Sequence, residues 1–256
     1  MPTNHAILSA SSSHRWLECP PSAKLCAELP DTSSEYAQEG TDAHALCEHR
    51  LKALLGRETT DPTENLTYYN EEMERCAVEY ATYAYEQVKK AKVACNDPIV
   101  LIEQKLDFSR WVPEGFGTGD CVIVADGTLS VIDFKYGKGV EVRAENNPQM
   151  MLYALGALEL FDGIYDISAV NMIIFQPRRD NISEYAISKE ELLRWANEIL
   201  TPTAQLAANG DGDFKAGKHC RFCKVRATCR KLAEYNLALA RYDFEPNIQF
   251  SFPKRS

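Results

Sequence analysis

Apolar and polar residues alternate with two different periods along this chain, and the switches between them mark its elements. From about Asp42 to Leu55 the apolar positions recur at helical spacing, with Thr41 as a candidate cap and Gly56 as a stop. A second, longer helix is predicted from about Asn70 to Ala94, where Met73, Cys76, Ala77, Tyr80, Ala84 and Val88 form one stripe. After Pro98 the pattern becomes strand-like in PIVLIEQKLDF, DCVIVAD and TLSVIDFKY. A helix follows in NNPQMMLYALGALELF, then a strand in SAVNMIIFQPR, a short strand near Glu184 to Ile187, and a helix from about Lys189 to Ala208. Residues 1–38 read as irregular with short helical pieces, punctuated by Pro20, Pro21 and Pro30. The order predicts an α/β fold with a mixed central sheet flanked by helices.

The segment GTGDCVIVADGTLSVIDFKYGKG brings candidate chemistry into that frame. Asp126-Gly127 is a two-residue hairpin signal, because glycine accepts positive φ without steric cost and aspartate tolerates it better than most residues. Counting outward, Ala125 faces Thr128, Val124 faces Leu129, and Asp120 falls opposite Asp133. Facing Cβ atoms lie about 4.5–5.5 Å apart. Lys135 is two residues beyond Asp133 and shares its face. The rest of the hairpin is apolar on both faces, so two carboxylates there repel each other and are costly to desolvate. A divalent cation with a preference for oxygen ligands, Mg²⁺ or Mn²⁺, relieves both costs. The plainer reading is a pair of solvated strand-end residues, since a one-residue slip breaks the alignment.

Two helices offer further groups. His44 and Glu48 are one turn apart and share a face with Leu51 and Leu55, so both need partners at the core. His44 suits a metal through a neutral ring nitrogen, or a hydrogen bond within the core. Glu48 suits a ligand, an orienting group or a pair with a basic residue. Gln149 and Tyr153 are also four apart, on the helix that follows the hairpin.

Composition adds less. The 256 residues are 45% hydrophobic, enough for one large core. A net charge of −9 argues against coating nucleic acid by bulk electrostatics, yet Lys215, Lys218, Arg221, Lys224, Arg226, Arg230 and Lys231 fall in one short segment without acids. That segment is a solvated basic face or a local phosphate-binding patch. No apolar run approaches the ~20 residues that span a bilayer. MPTNHAILSASSSHRW lacks the pattern of a secretory signal, so a cytoplasmic location is expected. There, nine cysteines are not a disulfide framework. Cys220, Cys223 and Cys229 follow C-x₂-C-x₅-C, a metal-thiolate spacing. Cys19 is the best fourth ligand, ahead of Cys26 and Cys47. Cys76, Cys95 and Cys121 sit in helix or strand patterns and read as core residues. Four thiolates suit Zn²⁺ or a [4Fe–4S] cluster, and spacing does not choose between them. The closing YDFEPNIQFSFPKRS is poorly patterned, as a flexible tail or a partner-docking segment would be.

Taken in order, Gly40-Thr41 with His44, Gly117 with Asp120, Asp133 with Lys135, and Gln149 with Tyr153 resemble the motifs G-T-x-x-H, G-x-x-D, D-x-K and Q-x-x-x-Y of the RecB-like nucleases in the PD-(D/E)XK superfamily. The resemblance covers residues 40–155. It implies a restriction-endonuclease-like core and a Mg²⁺- or Mn²⁺-dependent deoxyribonuclease. His44, Asp120, Asp133 and the backbone carbonyl of Phe134 would hold the metal. Lys135 would act on the attacking water and the phosphate, with Glu48 as a further catalytic candidate. Gln149 and Tyr153 would contact DNA, as would Lys218, Arg221 and Lys224 from the basic segment. One cysteine before these motifs and three after them is similar to the iron–sulfur members of this branch, the AddB-type and CRISPR-associated exonucleases. That implies a [4Fe–4S] cluster on Cys19, Cys220, Cys223 and Cys229, in a cap built from segments 14–30 and 215–232 of a single domain spanning 1–256. It also implies exonucleolytic action at DNA ends, with a phage or prophage recombination enzyme and its single-strand annealing partner as the setting. A structure-selective endonuclease and a non-catalytic, metal-stapled nucleic-acid-binding module are the alternatives. No Walker-type G-x-x-x-x-G-K-[ST] occurs, so no helicase motor is expected.

Overall fold

The structure is a computed structural model that describes residues 6–30 and 34–244, without the side chains of 242–244. Most of the C-terminal segment, 245–256, lies outside the described residues. Five strands form one sheet in the order β1 (Ile99–Asp107), β2 (Phe116–Ala125), β3 (Gly127–Phe134), β4 (Ile167–Gln176) and β5 (Asn181–Ser188). Neighbours are antiparallel except β3 and β4, which run parallel. A parallel pair needs a crossover, and helix α5 (Pro148–Phe161) supplies it. The chain is therefore an α/β fold with a mixed sheet, as the pattern of periods predicts.

Helices cover both faces. Helices α3 (Glu35–Leu54) and α4 (Glu71–Ala94) close one core with Cys121, Ile123, Ile132 and Phe134 of the hairpin. On the other face α5 packs with Val122, Val124, Leu129 and Val131. It is joined there by Trp16 of α1 (Ser13–Glu18), Ala23 of α2 (Ser22–Ala27), α6 (Lys189–Trp195) and α7 (Thr201–Asn209). Cys76, Cys95 and Cys121 are buried, as their positions in the pattern predict.

Three boundaries differ from the sequence pattern. Helix α3 starts two turns early, because Ser34 caps it by accepting the Ala37 N–H. Thr41 lies inside the helix and its hydroxyl donates to the Ala37 carbonyl. The short strand expected near Glu184–Ile187 is the full β5, an edge strand whose half-exposed alternation hid its length. The helix expected over Lys189–Ala208 is divided by a π-turn at Ala196–Leu200, ahead of Pro202.

The N-terminal pieces fold back onto the C-terminal region. Lys24 donates to the Asn209 carbonyl and Lys224 to the Leu29 carbonyl, while Lys215 pairs with Glu18. Trp16, fully buried in the core between the sheet and α5, joins this cap to the body and donates its indole N–H to the Ser9 carbonyl. The last helix, α8 (Arg230–Phe244), leaves the cap with most of its described side chains exposed.

Candidate active site

The hairpin register is the one the Asp-Gly turn dictates: Ala125 pairs with Thr128, Val124 with Leu129, and Cys121 with Ile132. Asp120 and Asp133 fall one step past that last pair. Both are buried, at 8% and 2% exposure, which is rare for aspartate without a strong reason.

Two further elements converge on Asp120. From α3, His44 Nδ1 lies 3.2 Å from Asp120 Oδ1, and its ring packs edge-on against Phe134. From β1, Glu103 Oε1 lies 4.0 Å from the same His44 nitrogen. The other Asp120 oxygen accepts the Phe134 backbone N–H at 2.6 Å. Among the described residues, His44, Glu103 and Asp120 are the one set of three whose ligand atoms all lie within 4.8 Å of one another, and that set could hold a metal ion.

Glu103 is the residue the sequence pattern does not reveal. Its φ of 50° is unusual for a strand residue. At this level the strand pair turns over. Leu101 and Leu106 pack on the same face although five apart, and a side chain at Gly119 would meet both Leu106 and Val122. Strict alternation forbids both arrangements. The turn-over brings Glu103 and Asp120 to His44 on the α3 side. The one sequence signal is the polar run Glu103-Gln104-Lys105 interrupting an apolar strand.

Asp133 belongs to an adjoining network rather than to that three-residue set. Lys135 Nζ lies 2.7 Å from Asp133 Oδ2, at an angle that leaves this buried oxygen without a hydrogen-bond donor in line. Gln149 ties the group together. Its carbonyl accepts from Lys135 at 3.2 Å, and its amide donates to Asp133 Oδ1 at 3.3 Å and to the Tyr153 hydroxyl at 3.0 Å. The Asn147 side chain caps α5 by accepting from Gln149 and Met150, which aims Gln149 at the strand ends.

Charge follows this geometry. Burial would lower the His44 pKa, but the Asp120 carboxylate overrides it and lifts His44 to about 9. Burial and the Asp120 charge push Glu103 up to about 7. Asp120 is held below the usual carboxylate range, since His44, Lys135 and the Phe134 N–H outweigh its burial. Asp133 goes the other way: burial, with the nearby Asp120 charge, raises it against the pull of Lys135. Two neighbouring carboxylates with opposed shifts are a mark of functional sites.

Gly117 has a physical reason. A Cβ there would stand 2.7 Å from Cε1 of Tyr153 and 3.4 Å from Cβ of Ala10. The strand and the helix thus fit together only with glycine at this position, and Tyr153 itself is 6% exposed. Gly117→Ala is expected to cost about 1–3 kcal/mol by overpacking, read as a lower denaturant midpoint. An unchanged midpoint would mean that the ring moves aside freely.

The other expected residues lie around this site or on the cap. Glu48 pairs with Lys52 at 2.5 Å, half-buried on α3, and is not part of the three-residue set. Glu48 keeps to the His44 side of the helix, where its charge helps to raise the Glu103 pKa, while Lys52 one turn on pairs with it. Phe134 contributes its backbone N–H and its ring. Lys218, Arg221 and Lys224 are exposed on the cap, where Lys224 holds the Leu29 carbonyl.

Cys19, Cys220, Cys223 and Cys229 line one pocket, together with Arg15, His219 and Lys215. No three of these sulfurs meet within 4.8 Å. Cys26 does not line the pocket, but its sulfur lies 3.8 Å from that of Cys223. Burial pushes the Cys223 thiol up to about 11.

The fold and the site together define an α/β protein with a histidine–carboxylate cluster at the end of a central hairpin and a cysteine-lined cap. Residues 5–253 match the family described as "Protein of unknown function (DUF2800)", and the chain belongs to that family. Two solved structures are similar to it. One is SSO0001, at 15% identity over 73% of this chain and 95% of that one, with a TM-score of 0.31. The other is described as a "putative exonuclease" from Eubacterium rectale, at 11% identity over 87% and 88% of the two chains, with a TM-score of 0.43.

Proposed function

We propose that this protein is a metal-dependent nuclease that hydrolyses phosphodiester bonds at DNA ends. The observation that carries the reading is the joined unit of His44, Glu103 and Asp120 with Asp133, Lys135 and Gln149, built at the end of a buried hairpin. A folded domain gains nothing in stability from two desolvated carboxylates side by side. The donor set fits a hard divalent cation, Mg²⁺ or Mn²⁺, and the buried Asp133 carboxylate, ion-paired with Lys135, adds further oxygens beside it. His44, Glu103 and Asp120 would hold the metal, with Asp133 and the Phe134 carbonyl completing its surroundings. A bound divalent ion lowers the pKa of a water and stabilises charge on a phosphoryl oxygen.

The chain's own groups do the rest. Lys135 stays protonated, because the Asp133 charge raises its pKa against its burial, and it holds a phosphoryl oxygen by charge. Gln149 fixes Lys135 against Asp133, so the ammonium reaches its place without reorganisation. Tyr153 stays a neutral donor, since burial drives its pKa up. Lys218, Arg221 and Lys224 extend a basic path over the cap.

On the cap, Cys19, Cys220, Cys223 and Cys229 would hold a [4Fe–4S] cluster. Four cysteines that line one pocket suit such a cluster, and one cysteine ahead of the nuclease-like motifs with three after them favours it over a single Zn²⁺. Cleavage from DNA ends by a compact nuclease suits recombination, with a single-strand annealing protein to receive the product.

The test is cleavage of end-labelled linear DNA and closed circular DNA, with Mg²⁺ or Mn²⁺ and with chelator, using anaerobically prepared protein. Release of end label from linear DNA alone, dependent on metal, supports the reading. Cutting of circles would make the enzyme an endonuclease, and DNA binding without cleavage in either metal would make it a binding module.

A further inference from the structure

We infer that Cys26, outside the cysteine motif, is the hydrogen-bond donor that stabilises the Cys223 thiolate of the cap's metal centre. This rests on the cysteine cap holding a metal, and it adds a residue that takes no part in ligation.

The geometry separates the two cysteines by role. Cys223 lines the pocket shared with Cys19, Cys220 and Cys229, whereas Cys26 does not. Yet the sulfurs of Cys26 and Cys223 lie 3.8 Å apart, across 197 residues of sequence, and both side chains are buried. At that separation one thiol donates to the other sulfur. A metal-bound sulfur is deprotonated and only accepts, so the donor must be Cys26. Cys223 also draws on the backbone N–H of Val225, a second donor to the same atom. Cys26 reaches it from α2, which packs against α7, so the contact also ties the N-terminal cap to the C-terminal motif.

Such outer contacts matter for metal sites. They orient the ligand and spread its charge, and their loss costs about 10–100-fold in metal affinity. For a cluster, hydrogen bonds to the sulfurs also set the reduction potential, since they favour the more negatively charged, reduced state.

The experiment uses the full chain, prepared anaerobically as wild type, Cys26→Ala, Cys26→Ser and Cys19→Ala. Bound iron and zinc are counted per chain, and the rate of metal loss to a chelator is followed. Wild type, Cys26→Ala and Cys26→Ser are expected to carry the same metal content. Cys26→Ala should release it about tenfold faster. Cys26→Ser, whose hydroxyl donates in the same place, should stay near wild type. In a cluster-loaded protein the midpoint potential of Cys26→Ala should also fall. Equal release from Cys26→Ala and wild type would overturn the inference while leaving the metal cap intact. Metal retained by Cys19→Ala but absent from both Cys26 variants would make Cys26 a ligand instead, which also overturns it. A wild type that binds no iron or zinc at its cysteines would remove the cap reading itself, and this inference with it.

Discussion

Lys135→Ala and Asp133→Ala are each expected to lower the single-turnover cleavage rate about a thousandfold while the protein stays folded. Removing one preorganised charge from a phosphoryl-transfer site typically costs 10²–10³ or more. Lys135 is preorganised in this sense, held 2.7 Å from Asp133 and 3.2 Å from Gln149. Folding should survive, because loss of the ammonium lets Asp133 take up a proton, the form its burial already favours. Melting temperature and rate are measured on the same samples. Retention of cleavage within about threefold by Lys135→Ala would sink the assignment of its role, provided that wild type cleaves. Gln149→Leu should give an intermediate loss, since it disorders the lysine without removing it.

The second large effect is on metal binding as a function of pH. Without metal, His44 has its pKa raised to about 9 by Asp120, so it is protonated at neutral pH. A metal needs the neutral imidazole, and binding must therefore expel a proton. Apparent affinity for Mn²⁺ should rise about tenfold per pH unit up to pH 9. Below about pH 7 the dependence should steepen, as the protonated Glu103 must lose its proton too. Calorimetry in buffers of different ionisation enthalpy reads the released protons directly. His44→Ala should flatten the dependence above pH 7, and a flat profile in wild type would exclude His44 and Glu103 as ligands. Stability of the metal-free protein runs the other way. A histidine whose folded pKa is raised contributes fully below about 6.5, and that contribution is lost as pH rises through 9.

The sequence makes the sheet and the heart of the site legible for one local reason. Asp126-Gly127 fixes a turn, the turn fixes the register, and the register puts Asp120 level with Asp133. The long stripes of α4 and α5 are equally readable, because each buries a broad apolar face. What stays hidden depends on departures from those periods. Glu103 reaches the site because its strand turns over at a positive φ, and no alternation count reports that. Thr41 resembles a helix cap, but a serine seven residues earlier competes for the same helix and wins, at the cost of a glycine inside it. Glu48 shares a turn with His44 in sequence, yet its lysine neighbour at i+4 takes it. The nearness of Cys26 to Cys223 is invisible for another reason, since nothing local relates residues so far apart.

The union of the two chain regions in the cap has a consequence in time. The segment carrying Trp16, Cys19 and Cys26 is made early, and its partners at Asn209 to Cys229 come roughly 200 residues later. At about 5–20 residues per second on the ribosome, that is a wait of about 10–40 s. Throughout it the thiols of Cys19 and Cys26 wait for their C-terminal neighbours, while Trp16 can already pack on α5 and the sheet. The sheet can assemble in the interval, because its strands lie between the two regions. The cap is therefore the last part of the described fold to close, once Asn209 to Cys229 have emerged.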